Sequence, residues 1–467
     1  MKKILYYLLV FTCLIFTACN DWLDVQPRTT FKQDKMFETE GGFKDVLTGA
    51  YIKLKENSLY GTNLTRTSIE HLAQHWDAPS QSTGAFLAVY DYENADVKST
   101  MSRIYAKLYN VIVNVNSILE HIDDKKDIFS KGMYELIKGE ALGIRAYCHF
   151  DILRLFGPVP SGTTKAISLT YAKTVSKNPY TLSSYNQFTQ FILDDLNKAE
   201  NYLKGVDPII KYSINDLNKN INSEDSYWAY RKFNMNYYAV LGLKARFYLW
   251  TQDKTNAYEY AKKVINAKNE DGTEKFSFTS FQKDDYTFSS EHIFSLKTFD
   301  LEHIWDPRFV ISDFLYKRKT LIERDVFDNI LTDIRYKLWN ETSSGSSLVL
   351  KKYWQNDQVS DISKKEVIPL MRLSEMYLIA IECGSLSESN LLFKKMSEFR
   401  NNISPDFTDE ADRLNTIIKE YRKEFYGEGL MFYTYKRLNI KNILWATEEA
   451  SEKTYVVPLP DTEIIKN

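Results

Sequence analysis

NMNYYAVLGLKARFYLWTQDKTNAYEYAKKVINA, running from Asn234 to Ala267, is the stretch on which the fold turns. Its 34 residues read as helix, turn, helix, with the turn at Gln252-Asp253-Lys254. Ala245, Tyr248, Ala257 and Ala261 have the spacing of the small and aromatic positions of a tetratricopeptide unit. Small residues let the two helices approach and tyrosine fills the gap above them, but the pair keeps an apolar face that only further pairs can bury. Leu370 to Asn402 has a similar length and helix period, broken at Gly384-Ser385, although its small-residue spacing is poor. Ser102 to Phe156 supplies another pair. Ile104, Leu108, Val111, Val115, Ile118 and Leu119 mark one apolar stripe, Leu136, Ile137, Ala141, Ile144, Cys148, Ile152 and Leu155 mark the other, and Gly157-Pro158 ends it.

Outward from these pairs, Glu38 to Lys55 and Ser183 to Leu203 show helical spacing, and a helix from about Thr67 must stop before Pro79. A loop rich in Ser, Thr, Gly and Tyr then runs to Ala95. Between Lys268 and Glu366 the period is lost, and short β-prone runs (Phe276-Ser277-Phe278, His292 to Leu296, Ser347 to Leu350) alternate with loops. The expected fold is therefore mainly α: a tetratricopeptide-like helical-repeat scaffold with a loop-rich irregular subdomain containing a few short strands. Residues 19–267 form the N-terminal helical-repeat region, 268–366 an irregular insertion and 367–467 a C-terminal helical region, packing as one body.

Composition narrows the function. The 467 residues include only 17 Gly and 11 Pro, which disfavours glycine-loop nucleotide folds and turn-rich sandwiches. Sixty basic side chains against 62 acidic ones leave a net charge of −2, with the signs interspersed, so no footprint for nucleic acid is present. Aromatic residues reach 14%, 32 of them Tyr, more than helix packing alone requires.

The first residues set the compartment. Lys2 and Lys3 precede an apolar run from Ile4 to Phe16, then Thr17, Ala18 and Cys19, which reads as a signal peptide over residues 1–18. Cys19 after Phe16-Thr17-Ala18 resembles a bacterial lipobox, in which the cysteine is acylated and heads the mature chain. The polar stretch Asn20 to Lys35 follows as a tether, and no transmembrane run occurs. Cys13 leaves with the leader, so Cys148 and Cys383 are expected as buried free thiols.

Fixed catalytic motifs are absent: no Gly-rich phosphate loop, no HExxH, no GxSxG and no CxxC. The expectation is a protein that is not an enzyme and carries no cofactor and no metal. A lipid-anchored glycoside hydrolase is the alternative, since paired carboxylates follow no fixed spacing. Asp123-Asp124 and Asp194-Asp195 read as solvated helix faces, and Glu140 and Arg145 as a buried ion pair orienting helices. His71 and His75 lie one turn apart, a metal-ligand spacing, but lack the intervening Glu of a zinc hydrolase and a nearby third ligand. A sugar presents apolar C–H faces and hydroxyls, so its site combines flat aromatic rings with Asp, Asn or Arg. Loop positions meeting that description are Trp76, Asp77, Tyr90, Tyr92 and Asn94 in the N-terminal region, with Tyr286, Trp305 and Trp339 in the irregular one. Taken singly, each aromatic can equally belong to the core.

Several blocks resemble one family, the SusD/RagB-like outer-membrane nutrient-binding lipoproteins. Asn20-Asp21-Trp22-Leu23-Asp24-Val25-Gln26-Pro27 looks like its mature start, and Gly139 to Phe150, continuing through Arg154-Leu155-Phe156-Gly157-Pro158-Val159-Pro160, like its most recognisable helix and turn. Ile368-Pro369-Leu370-Met371-Arg372 to Leu378 is similar to its proline-entered helix. Arg422 to Gly429 with Tyr435-Lys436-Arg437, and then Val457 to Ile464 as a closing strand, resemble its C-terminal blocks. Gly143, Gly384 and Gly427-Glu428-Gly429 depart from the usual residues at positions that concern packing. The resemblance implies an outer-membrane lipoprotein facing the exterior. It would bind a polysaccharide or oligosaccharide and close as a lid over a TonB-dependent SusC-like transporter, with a peptide-binding member of the same family as the alternative. The motifs mark scaffold, so the resemblance assigns no ligand contact.

Overall fold

The computed structural model describes residues 35–162, 167–219, 226–299, 301, 315–354, 361, 363–402 and 405–463. The signal peptide, Cys19, the tether up to residue 34 and Trp305 lie outside the described residues. Helix dominates. After α1 (Glu40–Leu54) come two short helices, α2 (Ser68–Leu72) and α3 (Thr83–Ala88), then α4 (Ala95–His121), α5 (Met133–Phe156), α6 (Tyr185–Leu203) and the short α7 (Ile214–Lys219). The tetratricopeptide-like stretch forms α8 (Tyr237–Trp250) and α9 (Lys254–Ile265), with Asp253 capping α9 through the Asn256 N–H. The later pair is α10 (Leu373–Cys383) and α11 (Leu386–Arg400), followed by α12 (Glu410–Phe425), α13 (Met431–Leu438) and α14 (Glu452–Tyr455).

These helices stack in order. α1 packs on α4, α4 on α5, α5 on α6, α6 on α8, α8 on α9, α9 on α10, and α10 on both α11 and α12. Burial of successive faces by the next pair is the physical content of a helical-repeat scaffold. α5 is enclosed by α4, α6 and the Met235 segment, which is why its residues are buried on nearly every side. Its glycines make that possible: a Cβ on Gly139 would lie 2.7 Å from Leu203 Cγ, and one on Gly143 would lie 2.5 Å from Met235 Cγ. Gly143 therefore replaces a bulkier residue because Met235 occupies the space.

The irregular region contributes two small antiparallel sheets. β1 (His292–Lys297) pairs with β5 (Val367–Arg372), which tethers the insertion to the C-terminal helices. β4 (Ser347–Leu350) lies between β2 (Tyr316–Arg318) and β3 (Trp339–Glu341). The runs at His292 and Ser347 are thus strands, whereas Phe276-Ser277-Phe278 is not.

Five expectations need correction. Pro369 sits in β5, opposite Ser295, and the helix begins only at Leu373; a two-stranded ribbon consists of edges, where the missing proline N–H is tolerated. Residues 456–460 form no strand and lead into a turn at Asp461–Glu463. The 79–95 loop contains α3, because Ser82 caps it by accepting the Ala85 N–H. Asp195 is no solvated acid: it is 3% exposed and takes a bidentate pair from Arg145 at 2.6 and 2.7 Å, with the Tyr171 hydroxyl also donating to it. Glu140 binds Arg231 at 2.6 Å and the Tyr51 hydroxyl at 2.6 Å, so Glu140 and Arg145 orient helices through separate partners.

Candidate functional site

The N-terminal aromatic loop converges with β2 and with a C-terminal turn around Trp445. Trp76 is 2% exposed; its indole N–H donates to the Arg66 carbonyl at 2.7 Å, and its ring meets Tyr426 edge-on at 5.0 Å. Trp339 packs on the same tyrosine at 4.7 Å. Both tryptophans are core residues, with no ring face open to a sugar. Tyr92 is also buried, its hydroxyl donating to the Thr454 carbonyl at 2.8 Å, and Asn94 is the N-cap of α4, accepting the Asp96 N–H at 3.0 Å. Tyr286 lies apart from this group, stacked on Phe281 at 5.9 Å with Lys351 over its ring.

Asp77 and Tyr90 remain on a partly exposed rim. Asp77 docks the loop onto β2: its N–H donates to the Tyr316 carbonyl at 2.9 Å, and its carboxylate accepts the Arg318 N–H at 2.9 Å and pairs with Lys317 at 3.0 Å. Lys317 also donates to the Gln74 carbonyl at 3.0 Å and lies 4.4 Å over the Trp445 ring. Burial lowers the Lys317 ammonium against the opposing pull of Asp77. Gln74 extends the chain of contacts, its amide donating to the Tyr90 hydroxyl at 3.1 Å, and that hydroxyl donates to the Leu72 carbonyl at 3.2 Å. Burial raises the Tyr90 phenol to about 12. On the far side Trp445 donates to Asp325 at 2.7 Å, and Arg324, paired with Asp325 at 2.6 Å, holds that carboxyl below its ordinary value.

Part of the backbone around this region is strained. Gln74, Gln81, Tyr90 and Trp445 all have φ between +56° and +69°, the left-handed region that bulky residues avoid. Each such residue costs of order 1–3 kcal/mol, and positions of this kind gather where a surface must hold a shape. Sequence reading missed Lys317, Arg324, Asp325 and Trp445. A tryptophan in the aperiodic stretch between Asn439 and Ala450 was the available signal, but its contact with Lys317 is set by the fold.

The rim offers donors, acceptors and half-buried rings, an arrangement suited to binding a hydroxylated ligand. His71 and His75 do not share a site: His75 contacts Glu70 at 2.5 Å and stacks on Tyr426, while His71 backs onto Gly84 and is lowered by burial to about 4. Among the described residues no three His, Cys, Asp or Glu side chains cluster as metal ligands, and no helix is long and apolar enough to cross a membrane.

Residues 21–249 match the profile of a SusD-like family whose description reads "Starch-binding associating with outer membrane". Over that stretch, just under half of its length, the chain is similar to SusD-like proteins. A SusD-like protein of Formosa agariphila is 29% identical over 164 residues, covering 34% of this chain and 30% of that protein. A second from the same bacterium is 24% identical over 206 residues, covering 44% and 38%. The matched stretches thus span only 30% and 38% of these curated relatives. Among solved structures, a SusD superfamily protein from Bacteroides thetaiotaomicron superposes with a TM-score of 0.69 at 20% identity, over 91% of this chain and 97% of that one. A SusD-like carbohydrate binding protein from Bacteroides vulgatus gives 0.68 at 16% identity, over 91% and 96%. At these identities the likeness is one of fold, and the chain shares that fold along nearly its whole length.

Proposed function

We propose that this protein is a SusD-like lipoprotein of the outer-membrane surface. It is anchored through Cys19 once residues 1–18 are removed, and it binds a polysaccharide or oligosaccharide and passes it to a TonB-dependent SusC-like transporter without covalent chemistry. The observation that carries the reading is the rim on which Tyr90, Gln74, Lys317 and Trp445 are linked in series beside Asp77. A half-buried indole supplies a surface for the C–H face of a sugar ring, while Asp77 and Lys317 stand where hydroxyls need an acceptor and a donor. The family's description as starch-binding supports the same class of ligand.

Calorimetry of protein lacking residues 1–19, against panels of glycans and peptides, tests the reading. Trp445→Ala is expected to weaken glycan binding by about tenfold, the loss of one stacking contact, with circular dichroism unchanged. A peptide bound in preference to every glycan, or glycan binding untouched by Trp445→Ala and Asp77→Ala, would overturn it. Turnover of a bound glycan that vanishes on replacing one carboxylate would make the protein a hydrolase. Trp305→Ala and Tyr286→Ala ask the same question of the two remaining sequence candidates.

A further inference from the structure

A second concavity shares no lining residue with the rim. It has a volume of about 460 Å³ and lies between α7, the 269–290 loops and the residues Asp361, Ser363 and Lys364. Hydroxyls and amides dominate its wall, and nearly every charge in it already has a partner. Lys275 donates to the Tyr212 carbonyl at 2.9 Å, Lys364 pairs with Asp284 at 3.1 Å, and Glu274 with Lys395 at 3.0 Å. Asp285 accepts the Ser289 N–H and hydroxyl at 2.8 and 2.7 Å, and Asp361 accepts the Ser363 N–H at 2.8 Å.

Lys232 is the exception. It is 2% exposed and lines the groove, yet among the described residues its ammonium makes no hydrogen bond and no ion pair, and the Phe233 ring lies 5.3 Å away. Two acceptors on the same wall are also unsatisfied, the buried amide oxygens of Asn218 and Asn269. Buried polar groups almost always find partners, and an uncompensated buried ammonium is costly. Burial lowers this one to about 8; the Asp285 and Asp361 carboxylates act against that shift, and the Lys297 and Lys364 ammoniums add to it.

We propose that the groove binds a sugar acid, its carboxylate received by Lys232 and its hydroxyls donating to Asn218 and Asn269. Acids outnumber lysines along the wall, which disfavours a multiply charged anion such as phosphate and suits a single carboxylate on a hydroxylated ring. The proposal stands apart from the rim and does not depend on it.

Saturation-transfer NMR on the full-length protein in detergent, with D-glucuronate as probe and D-glucose and acetate as comparators, provides the test. Glucuronate is expected to bind, and Lys232→Met to weaken it by about tenfold or more, the loss of a charge-assisted hydrogen bond. Lys232→Met should leave glycan binding at the rim unchanged and the melting temperature equal or higher, because it removes an unpaired buried charge. Asn218→Leu should weaken glucuronate several-fold and serves if Lys232→Met does not fold. Equal binding of glucose would overturn the carboxylate, displacement by acetate as effective as by glucuronate would overturn the sugar, and unchanged affinity in both variants would overturn the site.

Discussion

Gly427 and Gly429 donate their N–H groups to the two carboxylate oxygens of Glu70 at 2.8 and 2.9 Å, although more than 350 residues separate them. Both glycines have positive φ, 77° and 74°, and a Cβ on Gly429 would lie 2.1 Å from the Leu64 carbonyl oxygen. The variant block Gly427-Glu428-Gly429 is therefore the seam that joins the C-terminal turn to α2. Gly429→Ala is expected to cost more than about 2 kcal/mol in denaturant unfolding, since backbone must move and the bond to Glu70 goes with it. Gly49, within α1 with open space around it, is the control: Gly49→Ala should stabilise by about 0.5–1 kcal/mol.

At the scale of elements, α12 is held by its acids. Glu424 accepts from Arg372 and Arg400 at 2.7 Å each and from Arg335 at 3.1 Å, joining β5, α11 and the turn before β3. Burial alone would raise the Glu424 carboxyl, but Arg400, Arg372 and Arg335 together hold it well below the ordinary carboxylate range. Burial dominates at the facing Glu291 and raises it, so acidification protonates Glu291 first. A carboxyl depressed by folding contributes stability that is complete above its unfolded value and is lost as pH falls through the folded one. The melting temperature should accordingly fall as the pH drops below the ordinary carboxylate value of 4.5, and the fall should be shallower in Glu424→Gln. At neutral pH that variant should lose about 3–5 kcal/mol, because it leaves buried guanidiniums uncompensated.

Over the whole molecule, the three regions expected from the sequence are cross-linked rather than merely adjacent. β1 of the insertion pairs with β5, Lys352 donates to the Glu424 and Tyr426 carbonyls at 3.0 and 2.9 Å, and Lys436 of α13 closes the end of α5 by donating to the Leu155 and Gly157 carbonyls at 3.0 and 2.7 Å. Unfolding should therefore be a single transition, with tryptophan fluorescence and far-ultraviolet circular dichroism superimposable. Deleting residues 268–366 should leave no folded remainder, and a soluble, cooperatively melting deletion product would refute this.

Helix positions, the tetratricopeptide-like pairing and two of the strand runs were legible in the sequence, because 3.6-residue periodicity, Gly-Pro stops and β-branched runs act over a few residues. Part of the aromatic excess was legible in the same way: Tyr147 and Tyr377 are buried in the helical stack, as their periodic positions implied, and Tyr248 is partly buried there. What a loop aromatic does was not. Trp76 and Trp339 look like exposed platforms in the chain and are core residues in the fold, while Trp445 reaches the rim through a turn with no sequence signature. The same holds for charge, where Asp195 and Lys232 resemble ordinary surface residues and are both buried, one paired and one unpaired. Local sequence determined the elements because their periodicity is a local property; burial and partnership depend on which distant segment covers a residue, and only the tertiary structure decides that.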